Sequence, residues 1–166
     1  QRLEGYRNFI NKIWNATRFY LNLVREKDFN FDKSVLKTQK LSVYDKWILG
    51  KLEELTADVD KKLNDMRFSE AASALYAFTW NDLCDWYLEL SKSRVYGEDE
   101  ADKKLNLTVL SMVLDTVIKL LHPFIPFVTE EIYAILPTKS SDSLALSKFP
   151  TLNDFKSFEL NLSETQ

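Results

Sequence analysis

Residues 3–25 read LEGYRNFINKIWNATRFYLNLVR, and their period is helical. Tyr6, Phe9, Ile10, Ile13, Trp14, Thr17, Tyr20, Leu21 and Val24 recur at spacings of three and four, which places one apolar stripe along an α-helix. At about 100° per residue, Arg7, Asn8, Asn11, Lys12, Asn15, Arg18, Phe19, Asn22 and Arg25 fall within an arc of about 140° on the opposite side. The same period returns four times further along. Ser42 opens a second helix, with Asp45 three residues on as in a capping box and Ile48, Leu52, Leu55, Val59, Leu63 and Met66 on one face. Ser69 caps a third, Glu70 to about Ser93, which is apolar over most of its girth (Leu75, Tyr76, Phe78, Trp80, Leu83, Trp86, Tyr87, Leu88, Leu90) and is therefore expected at the centre.

A fourth helix runs from about Ala101 to Leu121, where His122-Pro123 closes it, because the residue before proline is pushed out of the helical region. A fifth begins near Pro126 and stops at Pro137. Between the first two helices lies a polar connector, Glu26 to Lys40, and the last thirty residues are Ser-rich, with an alternation from Leu144 to Phe149 that fits one short strand. The expected fold is all-α: an antiparallel bundle of about five helices over residues 1–138, with residues 139–166 as an irregular tail of the same domain.

Composition points the same way. Three glycines and four prolines in 166 residues, against usual fractions of about 7% and 5%, exclude turn-rich sandwiches and barrels as well as Pro/Gly-rich disorder. The single cysteine, Cys84, excludes an internal disulfide framework or a cysteine-based zinc site. No run of 18 apolar residues is present to span a membrane. With Gln1 at the start and no signal-peptide pattern, the chain reads as a piece of a longer protein. The net charge of −3 argues against a nucleic-acid partner only as an average. Between Gly5 and Arg25 there is no acid, and Arg7, Lys12, Arg18 and Arg25 give +4; the other 18 basic and 25 acidic residues give −7.

The first helix carries the functional signal. A solvated helix face ordinarily mixes Glu with Lys at i,i+4. Here Asn recurs at positions 8, 11, 15 and 22 although it is a mediocre helix former. Its amide offers an acceptor and two donors, which match base edges, and Arg and Lys supply phosphate contacts. Phe19 stands inside the polar stripe, where an exposed ring has no folding purpose but can stack on an unpaired base. The stripe therefore fits a single-stranded RNA reader, or a face that docks on a protein partner. The remaining candidates have structural readings. His122, the only histidine, caps helix carbonyls; Asp82, Asp85 and Glu89 form a solvated rim near Lys92; Cys84 is an inert core thiol; Glu130 and Glu131 complement a helix N-terminus. No nucleophile stands with a base, no phosphate loop occurs and no metal site is expected.

The wording of the chain resembles the anticodon-binding domain of valyl-tRNA synthetases. The likeness is carried by Gly5-Tyr6-Arg7-Asn8-Phe9-Ile10-Asn11-Lys12-Ile13-Trp14-Asn15-Ala16-Thr17-Arg18-Phe19, then Asp45-Lys46-Trp47-Ile48-Leu49, Phe68-Ser69-Glu70-Ala71-Ala72, Asp85-Trp86-Tyr87-Leu88-Glu89 and His122-Pro123-Phe124-Ile125-Pro126-Phe127-Val128-Thr129-Glu130-Glu131. The last block is shared with the isoleucine and leucine enzymes, whose equivalent domain is the alternative within this group; the first block points to valine. The resemblance implies a domain that binds the anticodon stem-loop of valine tRNA and reads its middle and third letters, A and C. It carries an RNA-binding role onto Asn11, Lys12, Asn15, Arg18 and Phe19, with Phe19 stacking on the middle base. Arg7, Asn8, Asn22 and Arg25 extend the face from charge and phase alone. The resemblance also implies a monomeric cytoplasmic parent that charges tRNA with valine using ATP and Mg²⁺. The parent's catalytic and editing domains are then partners of this fragment, which has no catalytic site of its own.

Overall fold

The computed structural model describes residues 2–156, apart from the Arg2 side chain. Helix α1 spans Arg2–Glu26, a single turn α2 spans Val35–Thr38, and α3 spans Val43–Asn64. One continuous rod follows, made of α4 (Phe68–Ala77), a π-helical stretch (Phe78–Tyr87) and α5 (Leu88–Val95). Helix α6 (Glu100–Leu121) and α7 (Pro126–Ile135) complete the bundle, and no strand occurs among the described residues. The five expected helices are all present. Lys12 and Phe19 of α1 meet Trp80 and Lys92 of the rod in ascending order, so those two elements run parallel. Tyr20 meets Ser111 while Leu23 clusters with Leu107, so α6 runs antiparallel to α1.

The buried centre is α6 and not the third predicted helix. Within Leu105–Leu121 only Asp115 and Lys119 are partly exposed, whereas the rod leaves Tyr76 and Trp86 at the surface. The buried face of α6 includes the polar Thr108 and Ser111. Each hydroxyl donates to the carbonyl four residues back, at 2.7 and 2.6 Å, and so enters the core satisfied. Ser111 also bonds Tyr20 Oη at 2.5 Å, joining α1 to α6, and burial pushes the Tyr20 phenol up to about 12. Tyr6 leaves the predicted apolar stripe and is exposed, as is Leu3 in the same first turns of α1.

Three helix-end expectations are corrected. Ser69 is not a cap. Helix α3 ends in a Schellman-type turn, with Arg67 N–H on Lys62 O at 2.8 Å, Met66 N–H on Leu63 O at 3.1 Å and Met66 at φ 57°, and α4 then starts at Phe68. Met66, expected on the buried face of α3, is thereby turned to solvent. His122 does end α6, but its ring bonds Thr129 at 2.9 Å and no helix carbonyl. Thr129 donates to Ile125 O, which leaves His122 Nδ1 as the donor. Glu130 accepts the Leu144 N–H at 2.8 Å, and that bond holds its carboxyl below the ordinary range. The expected strand at 144–149 is instead a 3₁₀ turn, Leu144–Leu146, capped by Ser143; its first amide goes to Glu130 and it has no neighbouring strand to pair with.

The Ser42–Asp45 capping box is present and does more than cap. Asp45 is fully buried. Its Oδ2 accepts from Ser42 N and Oγ at 3.1 and 2.7 Å, and its Oδ1 accepts from Tyr87 Oη and Arg94 Nη1, each at 2.7 Å. Arg94 turns its other edge to Asp102 of α6, and Asn106 Nδ2 donates to Tyr87 Oη at 3.1 Å. Burial, then Asp45, pushes the Tyr87 phenol far above its usual range. This network ties α3, the rod and α6 at one level.

Asp45→Ala should lower stability by about 2 to 3 kcal/mol in urea unfolding, since it removes the α3 cap and leaves the buried Tyr87 hydroxyl without an acceptor, while Arg94 keeps Asp102. Met66→Gly should raise stability by about 1 kcal/mol with an unchanged m-value, because glycine adopts positive φ without the side-chain clash.

Candidate nucleic-acid interface

Every predicted stripe residue of α1 faces outward, but the stripe divides in two. Arg7, Asn8, Asn11, Asn15, Arg18, Asn22 and Arg25 are exposed, while Lys12 and Phe19 are half-buried. A groove of about 460 Å³ runs between α1 and the rod; Asn8, Asn11, Lys12, Asn15 and Phe19 line it from one side. Trp80, Cys84, Leu88, Glu89 and Lys92 line the other. Arg7, Arg18, Asn22 and Arg25 lie on the same helix outside the groove. Among the described residues, the Asn8, Asn11 and Asn15 amides make no hydrogen bond, so their donors and acceptors are free for a ligand.

The wall opposite α1 was not legible in the sequence. Phe9, Tyr76 and Trp80 form a stack, with centroids 5.0 and 5.6 Å apart. Lys12 Nζ lies 4.1 Å from the Trp80 ring centroid and 2.5 Å from Asp85 Oδ1, so its charge is occupied on two sides. Further along, Lys92 Nζ sits 5.5 Å from the Phe19 centroid and 2.6 Å from Glu89 Oε1. Phe19 does have a folding role, contrary to expectation: its ring packs against both apolar clusters of the bundle. Only the part of the ring facing the groove can meet a base.

Asp82, Asp85 and Glu89 diverge instead of forming one rim. Asp85 pairs with Lys12 and Glu89 with Lys92, while Asp82 turns to a shallow groove beside Lys51, where burial raises its pKa. Cys84 forms part of the groove floor, and burial pushes its thiol up to about 11. No group of three or more His, Cys, Asp or Glu among the described residues is placed to hold a metal ion, and no described helix is long and apolar enough to cross a membrane.

A groove with free amides, a half-covered aromatic ring and cationic shoulders suits an unpaired nucleotide. The chain matches the family described as "Anticodon-binding domain of tRNA ligase" over residues 45–165. It belongs to that family. The anticodon-binding domain is similar to part of the valine–tRNA ligase of Syntrophotalea carbinolica, 46% identical over 154 residues, which covers 92% of this chain and 17% of that protein. It is likewise similar to the valine–tRNA ligase of Bdellovibrio bacteriovorus, 42% identical over 170 residues, covering 100% of this chain, α1 included, and 19% of that protein. The valine–tRNA ligase of Bacillus thuringiensis subsp. konkukian is 46% identical over 154 residues, 93% of this chain and 17% of the ligase. The domain thus spans less than a fifth of the length of these relatives.

Cys84 should resist alkylation by iodoacetamide at pH 8 in the folded domain and react at the rate of a free thiol once unfolded, since thiolate is the reactive form. Rapid native labelling would show the floor of the groove to be open.

Proposed function

We propose that this domain binds the anticodon loop of valine tRNA within a valine–tRNA ligase. The observation that carries the reading is the groove, which sets the free Asn11 and Asn15 amides beside the Phe19 ring on a helix face without acids. Asn11 and Asn15 hydrogen-bond base edges, and Phe19 stacks on the middle base with its groove-facing side. Lys12 and Arg18 meet phosphates, and Arg7, Asn8, Asn22 and Arg25 extend the contact along the strand. The valine–tRNA ligases among the relatives support valine over isoleucine or leucine.

This chain's part in charging is to bind and orient. Among the described residues, the carboxylates beside the groove, Asp85 and Glu89, are engaged by lysines. Because the domain spans less than a fifth of its ligase relatives, we assign ATP, Mg²⁺ and valine activation to the rest of the ligase, whose catalytic and editing domains hold this one in place. The family likeness alone supports a monomeric enzyme in the cytoplasm.

In the full-length ligase, Phe19→Ala should reduce charging of valine tRNA and leave valine-dependent ATP–pyrophosphate exchange unchanged, with a loss of about 1 to 3 kcal/mol in tRNA binding. Charging at the wild-type level would remove the stacking role.

A further inference from the structure

Of the four cations between Gly5 and Arg25, Lys12 alone is neutralised among the described residues. Arg7, Arg18 and Arg25 have no acidic partner among the described residues, whereas the Lys12 ammonium lies between the Trp80 ring and the Asp85 carboxylate. Lys12 is also the one cation of the four that lines the groove. The pair is reachable from solvent, with 27% of the Lys12 side chain and 46% of the Asp85 side chain exposed. A phosphate can therefore replace the carboxylate at little cost, because one anion is exchanged for another in a well-screened place.

We propose that Asp85 is a specificity-determining residue of this interface, which withholds Lys12 from any phosphate not delivered by a base seated in the groove. The inference rests on the anticodon-binding reading above. A strand passing over α1 meets the three unpaired arginines and is attracted without regard to sequence. It gains nothing from Lys12, whose charge is already taken, and Asp85 repels its phosphates at that point. A base that enters between the Asn11 and Asn15 amides and the Phe19 ring fixes its own backbone beside the groove. Its phosphate then has a high effective concentration next to Lys12 and displaces Asp85. Throughout the exchange the Trp80 ring, propped by Tyr76 and Phe9, keeps the ammonium in place.

The test titrates full-length ligase against valine tRNA and against the same transcript with its middle anticodon base changed, at several salt concentrations. Asp85→Asn should tighten binding of the changed transcript roughly two- to fivefold and steepen its salt slope by about 0.7. The wild-type transcript should gain less, so the preference between the two narrows. Adding Lys12→Gln should cancel the gain. Asp85→Ser should repeat the Asn result, which guards against a folding effect of one substitution. An unchanged preference and slope in both Asp85 variants would overturn the proposal, as would a gain that survives the loss of Lys12. A wild-type ligase that shows no preference would instead overturn the anticodon-binding reading, and this inference with it.

Discussion

The buried carboxylate of Asp45 is the constraint on which the other parts of this domain depend. An isolated charge in a helical core costs several kcal/mol, and Asp45 avoids that cost because four donors meet its two oxygens. Those donors come from the start of α3 and from the lower half of the rod. Through Arg94 and Asp102 the constraint extends to α6. Apolar packing alone allows helices to slide and rotate against one another at small cost, whereas a hydrogen-bonded charge accepts a single arrangement. The rod is fixed against α3 and α6 in this way at the same level as some of the residues that face α1.

The groove follows from that placement. Tyr87 and Arg94 bracket Leu88, Glu89 and Lys92, so securing the first two also sets where the last three meet α1. The π-helical stretch lies immediately above. Thr79 Oγ1 is buried without a partner near its upper end, and Asn106 Oδ1 is similarly unpartnered beside its lower end. Such stretches are usually kept where an altered side-chain register serves a site. Here the stretch supplies Trp80, Cys84 and Asp85, three of the residues that meet α1. The electrostatics are correspondingly mixed: cationic along the outer edge of α1, paired and nearly neutral within the groove.

Much of this was legible in residue order. The five helices, the Ser42–Asp45 box and the outward stripe of α1 follow from period and end chemistry, which are local properties. Three of the errors share one cause. Ser69, Glu130 and His122 are side chains with several possible partners, and the partner each takes depends on what the chain brings near it from elsewhere. The central helix was misplaced for another reason: the apolar girth of the rod was counted, whereas α6 buries hydroxyls such as Thr108 and Ser111 by returning them to its own backbone.

By itself, the sequence determined the helices, the acid-free cationic and amide face of α1, and the likeness to anticodon-binding domains, because periodicity and motif are written in consecutive residues. Only the tertiary structure decided that Lys12 is held by Asp85, that Phe19 is half-covered by the core and Lys92, and that the face is one wall of a groove. Each of those facts joins residues about 70 positions apart. Their pairing is set by how the rod packs on α1, a contact between segments far apart in the chain, and not by any local propensity.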